Sequence, residues 1–525
     1  MTTTAYKKAA ENLKEVRLTS ITGGFSDTQY AGTVNTYNSA IAIDPDYSVT
    51  GVRTSGMVCP TRYEKFSGSN VTGYPKFLIT NPKNTLLYAY MSDGKYVSYT
   101  SAFASETLVG TPTSGAGNGA TYYNNYVYLA TPTDVSKYGP LNGTPTLTNN
   151  FWTSTLGKNA LTNTTYPTLR GAVMPNHPMH VHSDGALYFG DVVAGQGVIH
   201  KIQTKKTTYE GDTDDGSSFN VLDLPFGYFP VAIESSGLDL VILAIQTTDG
   251  TINQGNAALF FWNPTDVNTF YNFVPLPDPI GTALINNNGA LYIFTGNSVN
   301  GIRLSQFTSG QTTNEIAYIE EGTPPLCGAV DNFGSRFVWA NWTTYPANSV
   351  SVMAYGSKKS SIVTGLHNIA RCTSSGATGL ITSLKFVQQD SNITPKLVIG
   401  WGDSIGFGID KASSSATYNS VFRSQMVNIG ETFWIRELRV ALGATVDSGV
   451  SITPKIYVDD GTTSFTLTTI NSTNFDGRYA NWKNPELNNV VGNNNFFVEF
   501  TFNGTTYCPI LMPIILNVEI SQDES

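Results

Sequence analysis

Four of the chain's five histidines crowd into one stretch: His177, His180 and His182 in HPMHVH, then His200 a short way on. Neutral imidazole is the commonest metal ligand. Alternation along a strand places His180 and His182 on one face, so two ring nitrogens stand side by side. A zinc site needs further protein ligands, and no acidic or cysteine residue stands nearby at ligand spacing. His177, His180 and His182 are therefore the metal candidates, with ordinary hydrogen-bonded strand histidines as the expectation and no cofactor expected.

Other chemistry is weaker still. GWGDSIG, with Asp403 and Ser404, resembles the Gly-Asp-Ser opening of one esterase class. A serine nucleophile needs an adjacent base, and those enzymes carry it later in the chain, whereas the last histidine here is His367. GDTDDG places Asp212, Asp214 and Asp215 in a loop, but without the ligand spacing of an EF-hand. VDDG at Val458–Gly461 fits a hairpin turn. Propeller enzymes such as sialidases carry Ser-x-Asp-x-Gly-x-x-Trp turns; SDGKY and SDGAL lack that spacing and the tryptophan. No pair of carboxylates is marked for glycoside hydrolysis, so no catalytic residue is assigned and an enzyme is not expected.

The elements that carry these residues repeat. KFLITNPKNTLLYAYMSDGKYVSY, MHVHSDGALYFGD, TALINNNGALYIFTG and CGAVDNFGSRFVWAN each read as an apolar strand, a tight turn and a second strand. VAIESSGLDLVILAI is a looser copy. Turn glycines Gly185, Gly237, Gly289 and Gly334 recur in step with Pro225, Pro277 and Pro324, which suit the exposed outgoing edge of an outer strand. A period of this length with four short strands per unit predicts a radial β repeat. Units near 74–112, 118–176, 326–375 and 378–413 extend the frame to about seven blades, with six the alternative. The last unit is short of a strand, and Ser39–Asp44 or Val52–Cys59 is expected to supply it.

The fold class is thus all-β: an N-terminal arm (1–58), a β-propeller of about seven blades (59–413) and a C-terminal antiparallel sandwich or jelly roll (414–525). In the arm, Ala5, Ala9, Leu13 and Val16 share a helical face. The C-terminal part alternates as strands in FWIRELRVAL, SITPKIYVDD, SFTLTTI, NNFFVEFTF and PIILNVEI.

Charged residues make up 13% of the chain and the net charge is −9, against a general phosphate-binding face. MTTTAYKKAAENLKEVRLTS lacks the apolar core of a signal peptide, and no apolar run approaches membrane-spanning length. Cys59, Cys327, Cys372 and Cys508 form no CxxC pair and are expected as buried free thiols. The aromatic residues fall at blade positions expected to be core.

Three features carry a resemblance: the opening GGFSDTQYAG…IDPDYSVTGVRTSG, the uncharged Asn/Thr/Tyr-rich blades, and the appended FWIRELRVALG…ITPKIYVDDGTTSFTLTTIN. Together they resemble bacteriophage virion proteins built on a propeller, such as tail hub or nozzle subunits. The resemblance implies synthesis in the host cytoplasm and assembly into the virion. Its implied partners are copies of itself in a ring and other virion proteins, with no sequence-specific binding of nucleic acid. A glycan- or receptor-binding propeller used in host attachment is the alternative, and a carbohydrate-active propeller enzyme the next.

Overall fold

The computed structural model describes residues 13–18, 24–25, 36–41, 44–48, 55–58 and, apart from short internal stretches, 62–521. The chain divides into two compact units, Glu64–Val350 with Cys372–Ala412, and Met1–Tyr63 with Ser351–Arg371 and Ser413–Ser525.

Seven four-stranded antiparallel sheets follow one another along the sequence. Their first strands are Pro75–Thr80, Gly119–Tyr123, Met179–Val181, Tyr228–Ser236, Gly281–Asn287, Val330–Phe333 and Leu380–Val387, and the sheets are numbered blades one to seven in that order. Each first strand touches those of the blades before and after it, and that of blade seven touches that of blade one. A ring of sheets joined this way around a common axis is a propeller. It has seven blades.

The repeat read from the sequence is the hairpin joining the first two strands of a blade. Gly185, Gly237, Gly289 and Gly334 sit in these turns at φ 79°, 66°, 83° and 62°. A side chain at any of them would meet no atom within 4 Å, so their left-handed backbone, not crowding, requires glycine. Pro225 is the penultimate residue of the fourth strand of blade three, Ser218–Phe226, and Pro277 follows that of blade four, Asn272–Pro275. Large aromatics fill the blades: Trp262, Trp339, Tyr90, Tyr128 and Tyr188 are all fully buried.

Blade seven has three strands of its own, ending with Phe407–Ser413, and takes its fourth from Arg62–Lys65. The Phe66 amide donates to the Ile409 carbonyl at 3.0 Å, and the Lys65 ammonium to the Phe407 carbonyl at 2.7 Å. This corrects the expected closing strands. Thr36–Ile41 pairs instead with Tyr418–Ser424, and Ser55–Val58 with Asp44–Ser48 and Ile510–Ile520. Among the described residues of the opening, the segment directly preceding blade one enters the ring, which needs the shortest connection.

The second unit holds a seven-stranded and an eight-stranded sheet. Ser451–Val458 alternates half-buried and buried at every position, and Phe433, Leu438, Ile514 and Leu516 of one sheet share a core with Ile452, Ile456, Phe496 and Phe500 of the other. The expected N-terminal helix is also corrected. Leu13–Leu18 is a strand antiparallel to Ile514–Glu519, while Ala5 and Ala9 lie outside the described residues. A helix of that length is marginal alone, whereas a strand on a sheet edge gains a full ladder of backbone bonds. The segment read as an arm thus contributes strands to the sandwich unit.

Candidate functional site

The first strands of all seven blades surround a cavity of about 330 Å³. Its carboxylate, ammonium and imidazole side chains lie on one arc: His180 from blade three, Glu234 from four, Asp331 from six and Lys385 from seven. Phe77, Leu78 and Ala120, from blades one and two, line the remainder. Glu234 and Asp331 each stand three residues before their turn glycines, Gly237 and Gly334. The repeat therefore carries both carboxylates to the axis.

Blade-to-blade hydrogen bonds stitch this arc together. The Asn286 amide donates to the Ser235 carbonyl at 2.7 Å, and the Asn332 amide to the Asn286 carbonyl at 2.7 Å. The Lys385 ammonium donates to Asp331 Oδ1 at 2.7 Å, and the Phe386 N–H to Asp331 Oδ2 at 2.7 Å. Such bonds fix the spacing between neighbouring first strands where no strand ladder joins them.

The histidines resolve into two separate sets. His182 Nε2 faces the Leu238 carbonyl at 3.1 Å, so it donates there, and its Nδ1 accepts from the Ser235 hydroxyl at 2.8 Å. The Ser235 oxygen then accepts from His180 Nε2 at 2.7 Å, which leaves His180 Nδ1 as an acceptor. His180 Nε2 also lies 3.6 Å from Glu234 Oε1, and each side chain is only about a fifth exposed (20% and 21%). Burial pushes the Glu234 carboxyl up to about 7, although the Ser235 and Asn286 N–H groups and Lys385 oppose it. Burial and the neighbouring His182 bring His180 down to about 4.

His177 points elsewhere, its Nδ1 to the Gly190 carbonyl at 3.0 Å and its Nε2 to the Pro132 carbonyl at 3.3 Å. Asp191 Oδ2 lies 3.3 Å from His200 Nε2, and neither side chain is exposed. Burial raises the Asp191 carboxyl, but the His200 hydrogen bond and the two histidines outweigh it and hold it below the usual range. The His200 ring stacks on Phe219 at 4.3 Å. Thus His180 and His182 do converge, as alternation required, but on a serine hydroxyl. Among the described residues no group of three His, Cys, Asp or Glu is arranged to hold a metal.

The remaining sequence candidates have structural placements. Asp403 Oδ1 accepts the Ile405 and Gly406 amides at 2.7 and 2.8 Å, and Oδ2 accepts Ser374 Oγ at 2.5 Å; it shapes a turn. Asp459 and Asp460 adopt φ of 52° and 58° in the turn before Thr463–Thr466. Asp212 lies in the short strand Gly211–Thr213, while Asp214 and Asp215 are outside the described residues. Cys327, half-buried, and Cys372, buried, are not joined in a disulfide; Cys59 and Cys508 are outside the described residues. Cys327 borders the cavity, its thiol pushed up to about 12 by burial against the opposing charge of Lys76. Burial brings the Lys76 amine down to about 8.

A strap from the connection between blades two and three crosses one face of the propeller. The Tyr166 hydroxyl donates to the Pro230 carbonyl of blade four at 2.8 Å. Further along, the Arg170 guanidinium lies 3.2 Å from the centre of the Trp342 ring of blade six. Leu169, Ala172 and Met174 of the strap are themselves buried. Trp342→Ala removes a half-buried cation–π contact of about 1–2 kcal/mol. Trypsin cleavage after Arg170 in the folded protein should then rise by about tenfold or more, and unchanged cleavage would show that the ring does not hold the strap.

No family model matches the chain, and neither does any curated protein. Similar solved structures include the Pan2 WD40 domain of Neurospora crassa, at 7% identity and TM-score 0.42, covering 68% of this chain and 95% of that one. Another is the extracellular domain of a hybrid two-component system from B. thetaiotaomicron, at 12% identity and TM-score 0.40, covering 74% of this chain and 45% of that one. This chain therefore spans less than half of the second structure. The propeller assignment rests on the seven sheets and their closed ring, not on these likenesses.

Proposed function

We propose that the chain is a structural subunit of a bacteriophage particle, a ring-forming tail or neck component of the hub or nozzle kind. It would act by assembling with copies of itself and with other virion proteins. The observation that carries this reading is where the phage-like sequence features reside. Strands of the opening, Thr36–Ile41 and Ser55–Val58, pair with strands of the C-terminal part, Tyr418–Ser424 and Ile510–Ile520. The two segments that resemble virion proteins, although separated by the whole propeller in sequence, thus build one sandwich. Its sheets offer broad surfaces for head-to-tail contacts that close a ring.

Native mass measurement and negative-stain images of the purified chain, together with mass spectrometry of particles, test this. Closed rings and presence in the particle are the expected results. A monomer that is absent from every particle overturns the proposal. No helix among the described residues is long and apolar enough to cross a membrane.

The axial cavity favours a second reading, a glycan- or receptor-binding propeller used in host attachment. A glycan array separates the two, with binding that Glu234→Gln abolishes expected only for the second.

A further inference from the structure

We propose that the axial cavity is a binding site for a small hydroxylated primary ammonium compound, held by Glu234 with His180 and Asp331. This goes beyond the assembly role and does not depend on it. The cavity lies within one compact unit and is enclosed by the first strands of seven blades. Its volume, about 330 Å³, falls in the range of small-molecule sites.

The hydrogen-bond inventory sets the class of guest. Asp331 already neutralises Lys385 at 2.7 Å, which leaves the Glu234 carboxylate as the surplus charge. His180 is neutral near pH 7, because burial and His182 hold its imidazolium down, and its Nδ1 makes no hydrogen bond among the described residues. Glu234 accepts from the Ser235 N–H at 2.9 Å and from the Asn286 N–H, which leaves lone pairs directed into the cavity. Asp331 keeps spare lone pairs too. Against these acceptors stand the two remaining Lys385 N–H donors, the second N–H of the Asn332 amide and the weak Cys327 S–H donor. Above about pH 7, where Glu234 is ionised, a cavity rich in acceptors and one negative charge in excess suits a guest rich in donors and positive. A carboxylate or phosphate would meet Glu234 and Asp331 together.

The groups facing Glu234 are His180, Lys385 and Asp331, with His182 behind Ser235. Burial raises the Glu234 carboxyl to about 7, so the guest should bind more tightly as pH rises past that point.

Ligand-observed NMR on the full chain tests this with 2-amino-1,3-propanediol as probe and glycerol as its uncharged isostere. Binding of the ammonium compound, about tenfold tighter at pH 8 than at pH 6, and at least tenfold tighter than glycerol, is expected. Glu234→Gln should weaken it by about tenfold and remove the pH dependence. His180→Gln, which keeps a donor for Ser235, should retain that dependence, because the titrating carboxylate is still present. Equal binding of the two probes, no binding of either, or binding unaffected by Glu234→Gln each overturns the proposal.

Discussion

Alanine at Gly119 is expected to destabilise the propeller by about 3 kcal/mol or more, at the upper end of what overpacking costs. Gly119 opens the first strand of blade two, and a Cβ there would lie 1.9 Å from the His177 carbonyl oxygen. That carbonyl cannot retreat easily. The His177 amide donates to the Asn118 carbonyl at 3.1 Å, and its ring is pinned by the Gly190 and Pro132 carbonyls. A Cβ at Gly328 would likewise lie 2.2 Å from the Lys76 carbonyl oxygen, while the Gly328 carbonyl accepts the Leu384 amide at 2.9 Å. By contrast, Gly289→Ala meets no neighbour, and placing alanine in a left-handed turn costs about 1–2 kcal/mol. Scanning calorimetry of the propeller transition should show a fall of several degrees for Gly119→Ala and a clearly smaller one for Gly289→Ala. Equal shifts would mean that blade spacing near the axis is not set by backbone contact.

These two kinds of glycine mark the boundary of what the sequence disclosed. Gly185, Gly237, Gly289 and Gly334 act locally, each bending one hairpin, and a local signal repeats at the period of the blade. Gly119 and Gly328 act between blades, at contacts whose partners, His177 and Lys76, stand far off in sequence. No window on the chain brings such pairs together. The same reason separates the expected closing strand from the real one. The apolar run in Ser39–Asp44 makes a credible strand, but its partner is chosen by connection length and by the edge it can reach.

The candidate site divides in the same way. His180 and His182 were legible because alternation alone places them together. Glu234, Asp331 and Lys385 were missed, although the signal for the two carboxylates was present. Phasing the repeats on Gly237 and Gly334 superposes Glu234 on Asp331, and a charged residue recurring at one position of an otherwise apolar strand points to the axis. Their partners were not legible. Lys385 meets Asp331 across 54 residues of sequence, and the Glu234 environment depends on strands from four blades. Leu13 and Val16 failed for a different reason: a spacing of three fits a short helix, and only the exposed edge of Ile514–Glu519 favours a strand.

Between pH 4.5 and 6.5 the wild-type axial pair is expected to add almost nothing to the pH dependence of stability, whereas either single variant should expose a steep one. The Glu234 carboxyl is raised from 4.5 to about 7 on folding. The folded protein therefore keeps a proton that the unfolded chain releases, and this contribution is full below pH 4.5 and lost as pH rises through 7. His180 is lowered from 6.5 to about 4. Here the unfolded chain binds a proton that the folded protein refuses, so the contribution is full above pH 6.5 and lost as pH falls through 4. Each slope amounts to about 3 kcal/mol at about 1.4 kcal/mol per pH unit, and the two run in opposite directions. In proton count the reason is simple. Between these limits the folded pair is a neutral acid beside a neutral imidazole, and the unfolded pair is a carboxylate and an imidazolium. Folding moves one proton from His180 to Glu234 without uptake or release. Glu234→Gln leaves the histidine slope alone, so that variant should weaken relative to wild type as pH falls from 6.5 to 4. His180→Gln leaves the carboxyl slope alone, and should weaken relative to wild type as pH rises from 4.5 to 7. Calorimetric midpoints across this range read both differences, and Asp191, common to all three proteins, drops out of the comparison. Parallel profiles for wild type and both variants would refute the burial argument for this pair.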